Sequence, residues 1–144
     1  MGECVFDTSF IFLANGQLAG ERPGNLLNKR LSAIRRVVDR RARPRYNQKL
    51  LTEYQDKIRV YRNDVIELFV AILDTEAAIN VKTNRLKRAD LDKAQKCGWP
   101  LHDQHVLAAA IGGNKVVIHV TENALGACSS KVKRLFGVSV NHIA

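Results

Sequence analysis

Apolar residues recur along this chain in two rhythms. Cys4, Val5 and Phe6 form a short run that stops at Asp7. The β-branched stretch "KVVIHVT" and the late stretch "VSVNHI" have the same strand-like composition. Between them the spacing is helical. Over residues 26–43, Leu27, Leu31, Ile34 and Val38 predict one buried face, with Pro44 as the stop. Residues 47–62 predict a second helix with Leu50, Tyr54, Ile58 and Tyr61 as its stripe. Glu53 falls roughly 90° from the centre of that stripe, at the border of core and solvent. Asn63 and Asp64 predict the cap of a third helix, whose apolar set is Val65, Leu68, Phe69, Ile72 and Leu73. "INV" is a candidate short strand, and residues 82–96 mix charges as an exposed helix does. After the break "CGWP", "LHDQHVLAAAIGG" predicts a helix with Asp103 in its first turn and a glycine stop; "SSKVKRLFG" predicts another. Strands separated by helices predict an α/β fold, a central parallel β-sheet flanked by α-helices in a single domain, 1–144.

Composition changes this picture in one respect. The 144 residues are 46% hydrophobic and 26% charged, ordinary for one globular core. No apolar run reaches the ~20 residues of a membrane helix. Glu3 and Asp7 stand where a leader peptide needs basic residues, so a cytoplasmic protein with no membrane partner is expected. Cys4, Cys97 and Cys128 are too scattered for a metal cage or a disulfide framework. The informative total is charge: 23 Lys and Arg against 14 acids, net +9. A balance this basic favours a polyanionic partner, nucleic acid before membrane. Lys29, Arg36, Arg40 and Arg43 fall on the side of the 26–43 helix opposite its apolar face, so they are the candidate RNA-binding residues; a solvated face is the plainer reading.

The acids then fall into a pattern. Asp7 follows the first strand, Asp103 opens a late helix, and Glu122 and Asn123 follow "VVIHVT". Asp7 has an ordinary use as the cap of a turn or helix through Thr8 and Ser9. In a parallel sheet, however, residues that follow strands gather at one edge, where α/β folds place their chemistry. Carboxylates gathered there repel one another unless a divalent cation sits among them, and Mg²⁺ or Mn²⁺ takes oxygen ligands of this kind. An acidic metal pocket in a basic protein suggests phosphodiester chemistry. Glu53 has its own plain reading, a surface pair with Lys57 one helical turn away. The histidines at 102, 105, 119 and 142 form no zinc set, although His105 could touch a phosphate. "GNLLNKR" is no phosphate-binding loop, and "TSF" and "CSS" form no nucleophile elbow.

"VFDTSFIF", "LLTEYQDKI", "LHDQHVLAAAI" and "VVIHVTEN" stand in the order of the PIN-domain ribonucleases, whose small single-domain members include the VapC-like toxins. The chain resembles that family over almost its whole length. The resemblance implies a Mg²⁺- or Mn²⁺-dependent endoribonuclease that leaves a 5′-phosphate and a 3′-hydroxyl. It implies Asp7, Glu53 and Asp103 as the catalytic and metal-site acids, with Asp7 and Asp103 as direct ligands and Glu53 acting through water. Thr121 is then the supporting hydroxyl. Asn123 departs from the pattern, since many members carry an acid there; Glu122 can compensate if its turn aims it inward. The stretch 15–45 is longer and more basic than a compact toxin needs. RNA is the implied partner, with an antitoxin protein and a second copy of the chain as open candidates. An RNA-binding or scaffold protein with a weak or dead site is the alternative. A receiver-like phospho-acceptor lacks its paired acids in "ECVFDTS" and its lysine in "VSVNHIA".

Overall fold

In the computed structural model, which describes residues 1–16 and 24–143, the strands β1 (Gly2–Phe6), β2 (Ala42–Tyr46), β3 (Ile79–Asn80), β4 (Val117–Val120) and β5 (Ser139–His142) form one sheet. All neighbours run parallel, in the order β3-β2-β1-β4-β5. Helices fill every connection: α1 (Thr8–Ala14) and α2 (Asn25–Val38), α3 (Gln48–Lys57) and α4 (Asp64–Leu73), α5 (Arg88–Cys97) and α6 (Gln104–Ala110), α7 (Asn123–Gly126) and α8 (Ser129–Phe136). The α/β architecture expected from the sequence is therefore present. A parallel sheet needs cover on both faces. Val5, Phe6, Ile118 and Val120 are accordingly buried under Phe10, Ile34, Leu50, Phe69 and Leu107 from the helices. Among the described residues, no helix is long and apolar enough to cross a membrane. Of the basic stretch 15–45, residues 17–23 lie outside the described residues.

The N-caps follow the expected chemistry. Asn47 Oδ1 accepts from the Leu50 N–H and Asn63 Oδ1 from the Ile66 N–H, which starts α3 and α4 where Asn predicts a start. The stripes differ in detail. α4 buries Ile66 and leaves Leu68 49% exposed, and α3 ends at Lys57, so Tyr61 lies outside it and exposed.

The main correction concerns residues 26–43. The helix ends at Val38, and residues 42–46 form β2 instead of its last turn. The stop is a left-handed turn at Arg40 (φ 61°), closed by Arg40 N–H to Val37 O and Arg41 N–H to Arg36 O. This is the Schellman geometry that glycine normally supplies. Pro44 sits inside a strand, which its missing N–H usually forbids. It is tolerated because β3 pairs only with Arg45 and Tyr46, which leaves that side of Pro44 without a ladder bond to make. Lys29 and Arg36 therefore lie on α2, Arg40 in the turn and Arg43 in β2, so the four do not share one helical face.

Arg40 holds a side chain in a conformation costing roughly 1 kcal/mol relative to glycine. Arg40→Gly is expected to stabilise the fold by about 0.5–1 kcal/mol, seen as a melting temperature a few degrees higher. A lower melting temperature would mean that the arginine side chain contributes more than the turn costs.

Candidate active site

The strand order reverses at β1: β2 and β3 lie to one side, β4 and β5 to the other. At such a reversal the connections leave in opposite directions and open a crevice at the carboxyl ends of the strands. Asp7 is the first residue past β1. Its N–H donates to His119 O of β4 (3.0 Å), pinning it across the crevice. Its Oδ1 accepts from the Thr8 N–H (2.8 Å), so Asp7 does cap α1. The cap uses one oxygen. Oδ2 is buried and has no hydrogen-bond partner.

Asp103 reaches the same edge from the other direction, because α6 runs back against the strands and starts at their carboxyl ends. It ends a 3₁₀ turn (Leu101–Asp103) and occupies the N-cap of α6, yet its side chain makes no capping bond. Its main chain is held by the Trp99 indole, whose N–H donates to Asp103 O (2.8 Å). Its Oδ2 is buried; His102 Nε2 lies 3.2 Å away, close enough for an ion contact but without hydrogen-bond geometry.

Glu53 reaches over from α3. It does not pair with Lys57; its Oε1 accepts from the Thr8 hydroxyl (2.8 Å) and from His105 Nε2 (2.7 Å). The Ser9 hydroxyl donates to Glu122 Oε1 (3.1 Å). Consecutive residues of "DTS" thus supply one acid and hold two others. Thr8 and Ser9 had no sequence signal for this role beyond their hydroxyls.

The environments drive the acids apart. Burial first, then the charges of Asp103 and Glu122, push the Asp7 carboxyl up from 3.8 to about 7. Asp103 is also raised, again chiefly by burial, with Glu122 and Glu53 adding to it against the pull of His102. Burial acts on Glu53 in the same sense, but the hydrogen bonds from His105 and Thr8 outweigh it and hold Glu53 below its usual value.

Other expected residues are placed differently. Thr121 is half-buried just past β4, and its carbonyl accepts from His142 Nε2 (3.2 Å). Glu122 and Asn123 are exposed at the start of α7, on the same edge as Asp7. Arg40 and Arg43 precede or open β2 and so lie toward the amino end of the sheet, away from the acids. Arg43 there donates to Glu76 O (2.9 Å) and Ala77 O (3.2 Å). His105 is 1% exposed, which removes it as a phosphate contact. A hollow of about 150 Å³ beside the acids is lined by Thr8, Ser9, Phe12 and Lys57. The larger cleft of about 500 Å³, lined from α3 and α4, contains none of Asp7, Glu53 and Asp103.

Among the described residues, no group of three or more His, Cys, Asp and Glu side chains is arranged to hold a metal ion. What the crevice offers an ion is narrower: two buried aspartate oxygens without hydrogen-bond partners, the one on Asp103 in ion contact with His102. That suits a cation such as Mg²⁺, which binds through one or two carboxylates and keeps several waters. No protein-family model, curated protein sequence or solved structure matches the chain significantly.

The raised Asp7 value fixes the sign of a pH effect. In the unfolded chain Asp7 loses its proton near 3.8, in the fold near 7. Between these values the unfolded chain is the one that ionises, so stability falls as pH rises through the window. Asn keeps the oxygen that caps α1 and removes the buried charge. In EDTA, Asp7→Asn is expected to be more stable than wild type by roughly 2–4 kcal/mol at pH 8, with the difference vanishing below about pH 4. Thermal melts of both proteins from pH 4 to 8 check this; parallel curves would show that Asp7 carries no buried charge.

Proposed function

We propose that this protein is a metal-dependent endoribonuclease of PIN-like type. The observation that carries the reading is the pair of buried Oδ2 atoms on Asp7 and Asp103, neither with a hydrogen-bond partner, at the crevice where the strand order reverses. A helix cap accounts for one oxygen of Asp7 and for neither of Asp103. Carboxylate oxygens kept from water without hydrogen bonds are costly, and the exposed His102 ring contacts only that of Asp103, so a further partner of positive charge is the economical explanation.

In this reading Asp7 and Asp103 hold Mg²⁺ or Mn²⁺. The bound ion supplies Lewis-acid polarisation of a phosphodiester oxygen and a nucleophilic water at neutral pH. Glu53, ionised and fixed through Oε1 by Thr8 and His105, would have its other oxygen free to orient a water or accept its proton. Lys57 beside the hollow and Lys49 on the same helix give the edge positive charge for an RNA backbone. Lys29 and Arg36, exposed on α2, add further positive charge for that backbone. In the toxin form of the reading, an antitoxin protein and a homodimer complete the list of partners. The rival reading, an RNA-binding scaffold with a dead site, draws on Asn123, a neutral and exposed residue where the resembled family often carries an acid.

Wild-type protein is expected to cleave a structured RNA with Mn²⁺ and not with EDTA. Asp7→Asn and Asp103→Asn are each expected to lower the rate at least about 100-fold while RNA binding persists. RNA bound but never cut, at any Mn²⁺ concentration, would select the scaffold.

A stability readout stands beside it. With free Mn²⁺ at ~100 times its dissociation constant, wild type gains roughly 2.7 kcal/mol, and Asp103→Asn loses most of that gain. Equal metal responses in the two proteins would remove Asp103 from the site.

A further inference from the structure

His105 is the one histidine buried to 1% exposure, and both its main chain and its ring are committed. Its carbonyl accepts from Asn47 Nδ2 (2.8 Å), the residue whose other amide atom caps α3. Its Nε2 meets Glu53 Oε1 (2.7 Å), five residues into the same helix. An ionised carboxylate only accepts, so Nε2 carries the proton and donates. Nδ1 is buried with no hydrogen-bond partner, so the Glu53 bond is the one hydrogen bond that orients the ring. Thr8 donates to the same oxygen (2.8 Å). Oε1 therefore takes two donors while Oε2 takes none among the described residues, and the Glu53 side chain is 35% exposed. If core filling were the whole purpose of position 105, an apolar residue would serve as well as its neighbours Val106 and Leu107 do.

We propose that His105 is a positioning residue: through Nε2 it fixes Glu53 so that Oε2 alone faces the crevice shared with Asp7 and Asp103. The inference rests on the nuclease reading above and assigns a task to a residue outside its acid set. His105 sits two residues after Asp103, so one short segment places one acid and orients another from a different helix. Its imidazole touches neither substrate nor ion and acts only through Glu53. Holding the carboxylate in one rotamer matters because outer hydrogen bonds of this kind align the groups that do the chemistry.

The test separates reach from polarity. In His105→Gln the amide nitrogen sits near the position of Nε2 and can still donate to Glu53. In His105→Asn it is too short. His105→Leu, apolar and suited to a buried position, serves if the Asn variant does not fold. With full-length protein, Mn²⁺ and a labelled structured RNA, Gln is expected within about 3-fold of wild-type kcat, and Asn and Leu about 10–100-fold below it. The Mn²⁺-induced rise in melting temperature is expected to shrink in Asn and Leu but not in Gln. In a Glu53→Gln background the His105 substitutions are expected to cost nothing more, because the residue they act through is already gone.

Equal activity of the Gln and Asn variants would overturn the proposal. So would an Asn or Leu loss of the same size with and without Glu53, which marks a purely structural role. Wild type that neither cleaves RNA nor melts higher with Mn²⁺ would overturn the nuclease reading and this inference with it. Wild type that cleaves while the Leu variant matches it would overturn this inference alone.

Discussion

Phe6, the last residue of β1, and Asp7, just past it, carry the hydrogen bonds on which the rest of the crevice hangs. The Tyr54 hydroxyl of α3 donates to Phe6 O, the Asp7 N–H donates to His119 O of β4, and Asp7 Oδ1 caps α1. A strand and two helices thus meet on two buried residues. Breaking any one of these bonds leaves a buried polar group unpaired, at roughly 1–3 kcal/mol. None of the three elements can shift without straining the other two. Around them Phe6 stacks on His119 (centroids 4.7 Å apart) and meets Phe69 edge-on (5.3 Å), so the polar junction rests in an aromatic bed.

The helix that brings Asp103 is held at both ends. At its start the Trp99 indole grips Asp103 O. At its end the buried Arg45 guanidinium donates to Ala109 O (2.7 Å) and Ile111 O (3.1 Å) and pairs with Glu3 (2.9 Å). A cation on the last carbonyls of a helix meets its partial negative charge, and the rigid fork of arginine makes these contacts together. Gly113 backs this group closely: a Cβ there would lie 2.7 Å from Glu3 Oε1 and 2.8 Å from Arg45 Nη1. The ion pair is at the opposite edge from the acids, yet it sets how far α6 extends toward them.

Much of the scaffold was legible because the relevant physics is local. β1 and β4 are dense in apolar and β-branched residues, and Asn63 announces α4 by the one donor it can satisfy. Asp7 and the Glu122–Asn123 turn could be assigned to one edge because residues that follow parallel strands have little choice. β2 was not legible. Its "ARPRY" has two arginines and a proline, and only tertiary partners, the α6 carbonyls for Arg45 and those of residues 76 and 77 for Arg43, make it a strand. The end of α2 was hidden because arginine holds a turn that glycine usually marks. The Glu53–His105 bond was hidden for a different reason: it joins two helices far apart in sequence, and spacing along either helix carries no trace of the other.

The pairing of β1 with β4 also orders events in time. Residues 2–4 pair with residues 42–44, but Val5 and Phe6 find strand partners only at Ile118 and His119. Contacts that close so long a loop form late, since chain entropy is lost before they give anything back. On a ribosome, the crevice has no second wall until β4 has emerged. Asp7 waits through most of that interval without its neighbours across the crevice, a carboxylate at the end of a strand that has β2 on one side and open water on the other. The nascent protein is thus chemically quiet at this edge, and its unusual acid comes into being only when the last of the crevice-forming segments arrives.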